Sequence, residues 1–220
     1  MASDAKSTIR AFIQAGGRSS RMGADKAWLS VVGHPMIEHV LAAAEPVAAS
    51  LSIIISADNP NAKRYCKLAE GRGARLLDDL HDHLGPLGGI HTALNNCEAG
   101  DAALILACDL PFLTSEFLAL LCQKHQSGEA QITVPLDAEG RPQPLVAIYK
   151  QSCLLMVEEQ LATGRLRVDR LFDVFPTTRI AYSGFAHLPG AAQFFRNLNS
   201  PGDYQDALRP DCQTRQPQVN

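Results

Sequence analysis

Apolar and polar positions follow two rhythms along this chain, and the rhythm changes once. TIRAFIQ (8–14) is a β-rich run that stops at Gly16 and Gly17. PMIEHVLAAAEPV (35–47) carries apolar residues at helical spacing, with Pro35 suited to the first turn. LSIIISA (51–57) is almost unbroken apolar sequence, the pattern of a strand covered on both faces. NAKRYCKLAEG (61–71) reads as a helix ending at Gly71, and ARLLDD (74–79) as a short strand. GPLGGIHTALNNCEAG (85–100) is a glycine-rich turn leading into a helix. AALILACD (102–109) is the strongest central-strand signal, and Thr114 is placed to cap the helix that follows. Strand and helix alternate with short connections, which predicts an α/β fold with a mostly parallel sheet and helices on both faces.

After residue 130 the pattern shifts. AQITVPLDAEGRPQPLVAIYK (130–150) predicts two strands joined by a turn at Glu139–Gly140, paired antiparallel. Helices are expected at 152–163 and about 167–175, and a further strand in TRIAYSGF (178–185). NLNSPGDYQDAL reads as a loop leading into a last helix. No linker composition divides the chain, so one domain over 1–208 is expected, with a polar, disordered tail at 209–220.

Composition narrows the function classes. Of 220 residues, 46% are hydrophobic and 20% charged, enough to build a sizeable core. The net charge of −3 provides no global basic field for nucleic acid, and no polybasic run points to a membrane surface. The stretch MASDAKS is polar, so no signal peptide is expected, and no apolar run reaches the roughly 20 residues of a membrane span. Cysteines at 66, 97, 108, 122, 153 and 212 form no C-x-x-C pair, consistent with reduced thiols and a cytoplasmic location.

Ligands of open α/β sheets bind beyond the carboxyl ends of the strands. Three segments converge there: the Gly16–Lys26 loop, the stretch from Asp78 and Asp79 to Gly89, and Asp109. Glycines let backbone N–H groups surround phosphate oxygens, and Arg18, Arg21 and Lys26 offer positive charge. The loop matches neither G-x-x-x-x-G-K-[ST] nor G-x-G-x-x-G, which disfavours P-loop and dinucleotide enzymes. A carboxylate at the end of a buried strand, here Asp109, suits Mg²⁺ bridging substrate phosphates. His81 and His83 lack the i, i+4 helical spacing of a zinc pair and read as loop residues. No arrangement marks a covalent nucleophile, which fits chemistry done by positioning and charge neutralisation.

These segments together resemble a known family. QAGGRSSRMGADK is similar to the L-A-G-G-x-S-x-R-M-G-x-D-K signature of molybdenum cofactor nucleotidyltransferases. GPLGGI, ACDLPFL, RPQPLVAIY and NLNSPGD resemble the later motifs of that family, in the same order, over about residues 8–208. The match is with the guanylyltransferase branch. The resemblance implies a Rossmann-like nucleotidyltransferase fold and Mg²⁺-dependent transfer of GMP from GTP to the terminal phosphate of molybdopterin. Carried over by position, Gln14, Ala15, Gly16 and Gly17 would meet the nucleotide through their backbone, and Lys26 its phosphates. Ser56 and Asp79 would touch the nucleoside, and Asp109 the metal and the nucleotide. Arg21 and Lys26 would offset charge on the leaving pyrophosphate. Arg167, Asn197 and Asn199 fall at positions associated with the pterin.

This chain departs from the family pattern at Gln14, where leucine is usual, and at Ser56, where asparagine is frequent. Asp78 and Asp79 remain alternatives for the nucleoside contact. Cytidylyl transfer to the same pterin, a sugar-phosphate nucleotidyltransferase and a non-catalytic GTP-binding module remain rival readings. The implied partners are the two substrates, with transient contact to molybdoenzymes or their chaperones; a monomer and a weak homo-oligomer are both compatible with the sequence.

Overall fold

The computed structural model describes residues 8–15, 25–81 and 84–198. Its strands are β1 (Ile9–Gln14), β2 (Ser30–Val31), β3 (His34–Pro35), β4 (Leu51–Ile55), β5 (Arg75–Asp78), β6 (Ala102–Ala107), β7 (Ile132–Pro135), β8 (Val146–Lys150) and β9 (Thr177–Ile180). The helices are α1 (Met36–Ala44), α2 (Ala62–Gly71), α3 (Pro86–Asn95), α4 (Ser115–Gln126), α5 (Leu154–Ala162) and α6 (Leu171–Val174).

A seven-stranded sheet runs in the order β5-β4-β1-β6-β8-β7-β9. All neighbouring pairs are parallel except those made by β8, which runs against both β6 and β7. The antiparallel pairing expected at 130–150 is present, but β8 turns back to sit between β7 and the parallel half. This follows from apolarity: β8 is buried from Val146 to Tyr149, so it needs cover on both faces and both edges.

Alternate residues of the central strands feed two cores. Ile9, Ala11 and Ile13 of β1, with Leu104 and Leu106 of β6, face α1, α2 and α4. Phe12, Ala103 and Ile105 face α3 and α5. The period of two explains why β4 and β6 read as unbroken apolar runs: each side of the strand has its own helical layer.

Capping chemistry sets the helix ends. Thr114 caps α4, its Oγ1 accepting from Phe117 N at 3.3 Å, as its sequence position predicts. Pro35 lies one residue outside α1, as its N-cap. The helix expected at about 167–175 is split into a 3₁₀ turn, Val168–Arg170, and the short α6. The hairpin β2–β3 has no counterpart in the sequence reading. Its strands are two residues long, and its turn puts Val32 at φ +47° and Gly33 at φ +84°. A β-branched residue is rare at that position, so the usual turn signal is missing.

The cysteines among the described residues are free. No helix among those residues is long and apolar enough to cross a membrane. The proposed tail at 209–220 and most of NLNSPGDYQDAL lie outside the described residues.

Register and strand order position the site. Gln14 of β1 stands level with Ile54 of β4 and Ala107 of β6. From β1 the chain moves outward to β4 and β5, then returns through α3 to β6 on the other side of β1. Order therefore reverses between β1 and β6, and a crevice opens beyond their carboxyl ends.

Candidate active site

A cavity lies at that reversal. Gln14 and Ala15 line it from the end of β1, and Ala107, Cys108 and Asp109 from the end of β6. Asp79 comes from the end of β5, Gly85, Pro86 and Gly89 from the start of α3, and Asp25 and Lys26 from the 3₁₀ turn Lys26–Trp28. Described residues of all three segments singled out in the sequence thus share one cavity.

Charged side chains are part of the cavity wall. Asp109 sits where β6 turns away, and burial raises its carboxyl above the ordinary carboxylate range. The Lys26 ammonium opposes that rise by favouring the ionised form. A partly desolvated carboxylate beside a cation is an arrangement that a polyphosphate with a divalent ion would complete. Lys26 is held at the first position of its turn. Asp25 is the N-cap, and its Oδ1 accepts from Ala27 N at 3.2 Å. Asp25 Oδ2 accepts from Tyr65 Oη at 2.8 Å and from Asn61 Nδ2 at 3.3 Å.

Backbone, an amide and a second carboxylate complete this part of the lining. Gly85 adopts φ +68° and ψ −155°, a region essentially reserved for glycine, and the chain then enters α3 at Pro86. Gln14 Nε2 donates to the Pro86 carbonyl at 3.4 Å. A β-carbon at position 89 would fall 2.5 Å from Gln14 Cδ, so only glycine lets that amide lie against α3. Asp79 Oδ1 accepts from Thr92 Oγ1 at 2.8 Å and from His81 N at 3.2 Å, which fixes the carboxylate at the cavity wall. Asp78 ends β5 as an exposed residue and does not line the cavity, so Asp79 is the cavity-facing member of the pair.

The backbone of the first strand is already engaged in part. The Gln14 carbonyl accepts from Cys108 N at 3.1 Å, and Ala15 N donates to the Ile54 carbonyl at 2.9 Å. What Gln14 presents to the cavity is therefore its side chain as much as its backbone.

Other expected site residues are placed less centrally. Ser56 directly follows β4 but is not among the cavity-lining residues. Arg167 is exposed, pairs with Asp169 and is likewise outside the lining. Asn197 is exposed and precedes Leu198, whose N–H reaches the Asp109 carbonyl at 3.5 Å just after β6. Gly16, Gly17, Arg18, Arg21, His83 and Asn199 lie outside the described residues. Sequence reasoning gave no role to Asp25, Cys108 or Leu145, all in the lining, nor to Tyr65 behind it. Asp25 stood in plain view within the motif; Tyr65 looked like one more apolar position of α2.

No cluster of three or more His, Cys, Asp or Glu side chains suited to a metal occurs among the described residues. Asp109 enters the cavity as a carboxylate whose ionised form is disfavoured by burial, and Asp25 and Asp79 also line it. The donor set fits Mg²⁺, which favours one or two carboxylates, retained waters and substrate phosphates.

Comparison with known proteins bears on this geometry. Residues 11–173 match the family described as MobA-like NTP transferase domain. The chain is 36% identical over 190 residues to a probable molybdenum cofactor guanylyltransferase of Methanothermobacter thermautotrophicus, covering 86% of this chain and 93% of that one. It is 34% identical over 199 residues to a molybdenum cofactor guanylyltransferase of Shewanella sp. strain MR-4, covering 90% and 93%. In fold it is similar to molybdopterin-guanine dinucleotide biosynthesis protein A of Archaeoglobus fulgidus, with a TM-score of 0.73 at 23% identity over 90% of this chain and 96% of that one. A 4-diphosphocytidyl-2C-methyl-D-erythritol synthase of Anaerococcus prevotii also shares the fold, with a TM-score of 0.66 at 14% identity over 92% and 95%.

Proposed function

Because the chain belongs to the MobA-like NTP transferase family and is a nucleotidyltransferase, we propose that it transfers GMP from GTP to the terminal phosphate of molybdenum-loaded molybdopterin. The products are molybdopterin guanine dinucleotide and pyrophosphate. The observation that carries this reading is the convergence of Lys26 and Asp109 in one cavity with Gln14, Asp79 and the start of α3.

The chemistry asks little of covalent catalysis. The acceptor phosphate is already an anion, so attack on the α-phosphorus needs alignment and charge compensation rather than a strong base. Lys26 binds the triphosphate and offsets negative charge as the bond to pyrophosphate breaks. Arg21 adds to that compensation by its place in the motif. Asp109 would hold Mg²⁺, which when bound supplies a double positive charge to the phosphate oxygens. Gln14, Asp79 and the Gly85–Pro86 turn receive the nucleoside, and Ser56 extends that contact. By their positions in the motifs, Asn197, Asn199 and Arg167 would contact the pterin. Both substrates are small and soluble, which suits a cytoplasmic enzyme that hands its product to molybdoenzymes or their chaperones.

The test is pyrophosphate release from the protein with Mg²⁺ and molybdenum-loaded molybdopterin, with GTP, CTP and ATP in parallel. Release with GTP alone is the expected result. Release with CTP alone would keep the mechanism and overturn the base; no release with any of the three, the pterin being intact, would overturn the transferase reading.

A further inference from the structure

Tyr65 is a buried titratable side chain that the transfer chemistry does not use. It lies in the middle of α2 with no exposed surface, and burial first, then the nearby Cys108 and Asp25, hold its hydroxyl far above the ordinary range. It is therefore a neutral donor facing an acceptor. Its Oη is 2.8 Å from Asp25 Oδ2 and 3.5 Å from the Ala15 carbonyl. Ala15 and Asp25 both line the cavity, on the two sides of the glycine-rich motif. The single hydroxyl proton goes to the nearer Asp25 carboxylate, so Tyr65 holds the residue that caps the Lys26 turn, with the carbonyl of the residue after β1 close by.

The same helix and its N-cap residue grip that turn at three more points. Asn61 Nδ2 donates to the oxygen of Asp25 that Tyr65 also uses. The Tyr65 ring packs against Trp28 with centroids 4.9 Å apart, and the Arg64 guanidinium lies 3.8 Å from the centre of the Trp28 ring. Trp28 ends the turn that Lys26 begins, so both ends of this single turn are anchored to α2. A short 3₁₀ turn has few hydrogen bonds of its own and needs such external support. Lysine carries much rotamer freedom, so the position of its charge depends on how well its backbone is held.

We infer that Tyr65 is a positioning residue: acting through Asp25, it holds the Lys26 turn where the ammonium meets the nucleotide phosphates. This rests on the nucleotide-binding reading of the cavity and adds to it a part of α2 outside the lining. Loss of the hydroxyl leaves the ring on Trp28 but releases Asp25 on one side. The expected consequence is weaker binding of the triphosphate with less change in turnover.

The experiment uses the full chain as wild type, Tyr65→Phe, Asp25→Ala and the double variant. KM for GTP and kcat come from pyrophosphate release. Fluorescence of Trp28, the only tryptophan in the sequence, is titrated with GTP and Mg²⁺ as a binding signal independent of activity. Tyr65→Phe is expected to raise KM and the fluorescence Kd on the order of tenfold, the weight of one hydrogen bond to a charged group, and to change kcat by less. In the Asp25→Ala background the same exchange is expected to add little, because the hydroxyl has lost its partner. A wild-type KM in Tyr65→Phe, or an equal effect with and without Asp25, would overturn the inference. A lowered melting temperature with unchanged KM would assign Tyr65 to stability alone and overturn it too. If Tyr65→Phe is too unstable to assay, Asp25→Asn carries the test: a raised KM supports the inference and a wild-type KM defeats it. Wild-type protein that binds no GTP by fluorescence would remove the nucleotide reading itself, a failure distinct from any of these.

Discussion

The Gln14 amide lies flat against Gly89, in the space a β-carbon at position 89 would take, with Cδ, Nε2 and Oε1 all within 2.7 Å of that point. The two residues come from different elements, the end of β1 and the first turns of α3, and both line the cavity. Gln14 Nε2 faces the Pro86 carbonyl, which accepts only, so the acceptor Oε1 is the atom left over.

Gly89→Ala is therefore expected to displace the Gln14 side chain rather than unfold the protein. Alanine favours a helix over glycine by roughly 1 kcal/mol, and moving a flexible amide costs about as much. Melting temperature should hardly move, while KM for GTP rises severalfold. Adding Gln14→Ala removes the obstacle, so the double variant is expected to match Gln14→Ala alone. A double variant whose KM equals the product of the two single effects would show that the close approach is not what matters.

Asp109→Asn is expected to be more stable and much less active. Burial raises the Asp109 carboxyl, so the folded chain holds that proton more tightly than the unfolded one. The cost of ionising it grows as pH rises from the ordinary carboxylate range through the raised value. A neutral amide avoids it, so Tm at neutral pH is expected to rise. Activity is expected to fall by about 10²-fold or more through loss of the metal-holding carboxylate. Calorimetry at pH 7 beside a Mg²⁺ titration of activity checks both halves; a variant with wild-type activity and Mg²⁺ dependence would remove Asp109 from the mechanism.

Much of this molecule is legible in its sequence, for identifiable reasons. β4 and β6 are long apolar runs because helices cover both faces, and Thr114 announces its helix because an N-cap needs an oxygen. Asp79 and Asp109 follow strand ends and Lys26 closes the motif after β1, where local sequence already implies a place facing a ligand. The insertion of β8 between β6 and β7 is not legible, since strand neighbours are chosen by long-range packing. Nor is the role of Tyr65: its hydroxyl finds Asp25 only once α2 lies against the Lys26 turn. Gly89 reads as an ordinary helix-weakening residue until Gln14 is seen across from it.

Replacing Lys26 by Met tests its coupling to Asp109. The Lys26 charge favours the Asp109 carboxylate, so its loss moves that carboxyl further upward. Activity that needs the carboxylate then loses its acidic side: the low-pH limb of kcat/KM shifts to higher pH, and the plateau drops by about 10²-fold. Lys26→Arg keeps the charge and is expected to leave the limb near its wild-type position. A pH–rate profile of the three proteins decides it, and an unshifted limb in Lys26→Met would mean the two groups do not communicate.

His125 predicts how stability depends on acid. It is buried on α4, where its Nδ1 pairs with Thr133 Oγ1 of β7 at 2.9 Å, tying the helix to the sheet. Burial, with a smaller contribution from the Lys150 charge, lowers its pKa from 6.5 to about 4. The unfolded chain takes up a proton as pH falls below 6.5, while the folded chain refuses it until about 4. Stability tied to this residue is thus complete above that window and is lost on descending through it. One proton per chain limits the slope to about 1.4 kcal/mol per pH unit, or roughly 4 °C in Tm. His125→Gln keeps a hydrogen-bonding side chain and removes the titration. Its melting temperature is expected to fall less steeply than wild type between pH 6.5 and pH 4, with the two curves parallel above pH 7. Curves that stay parallel through the acid range would mean that the folded protein accepts the proton on His125 without cost.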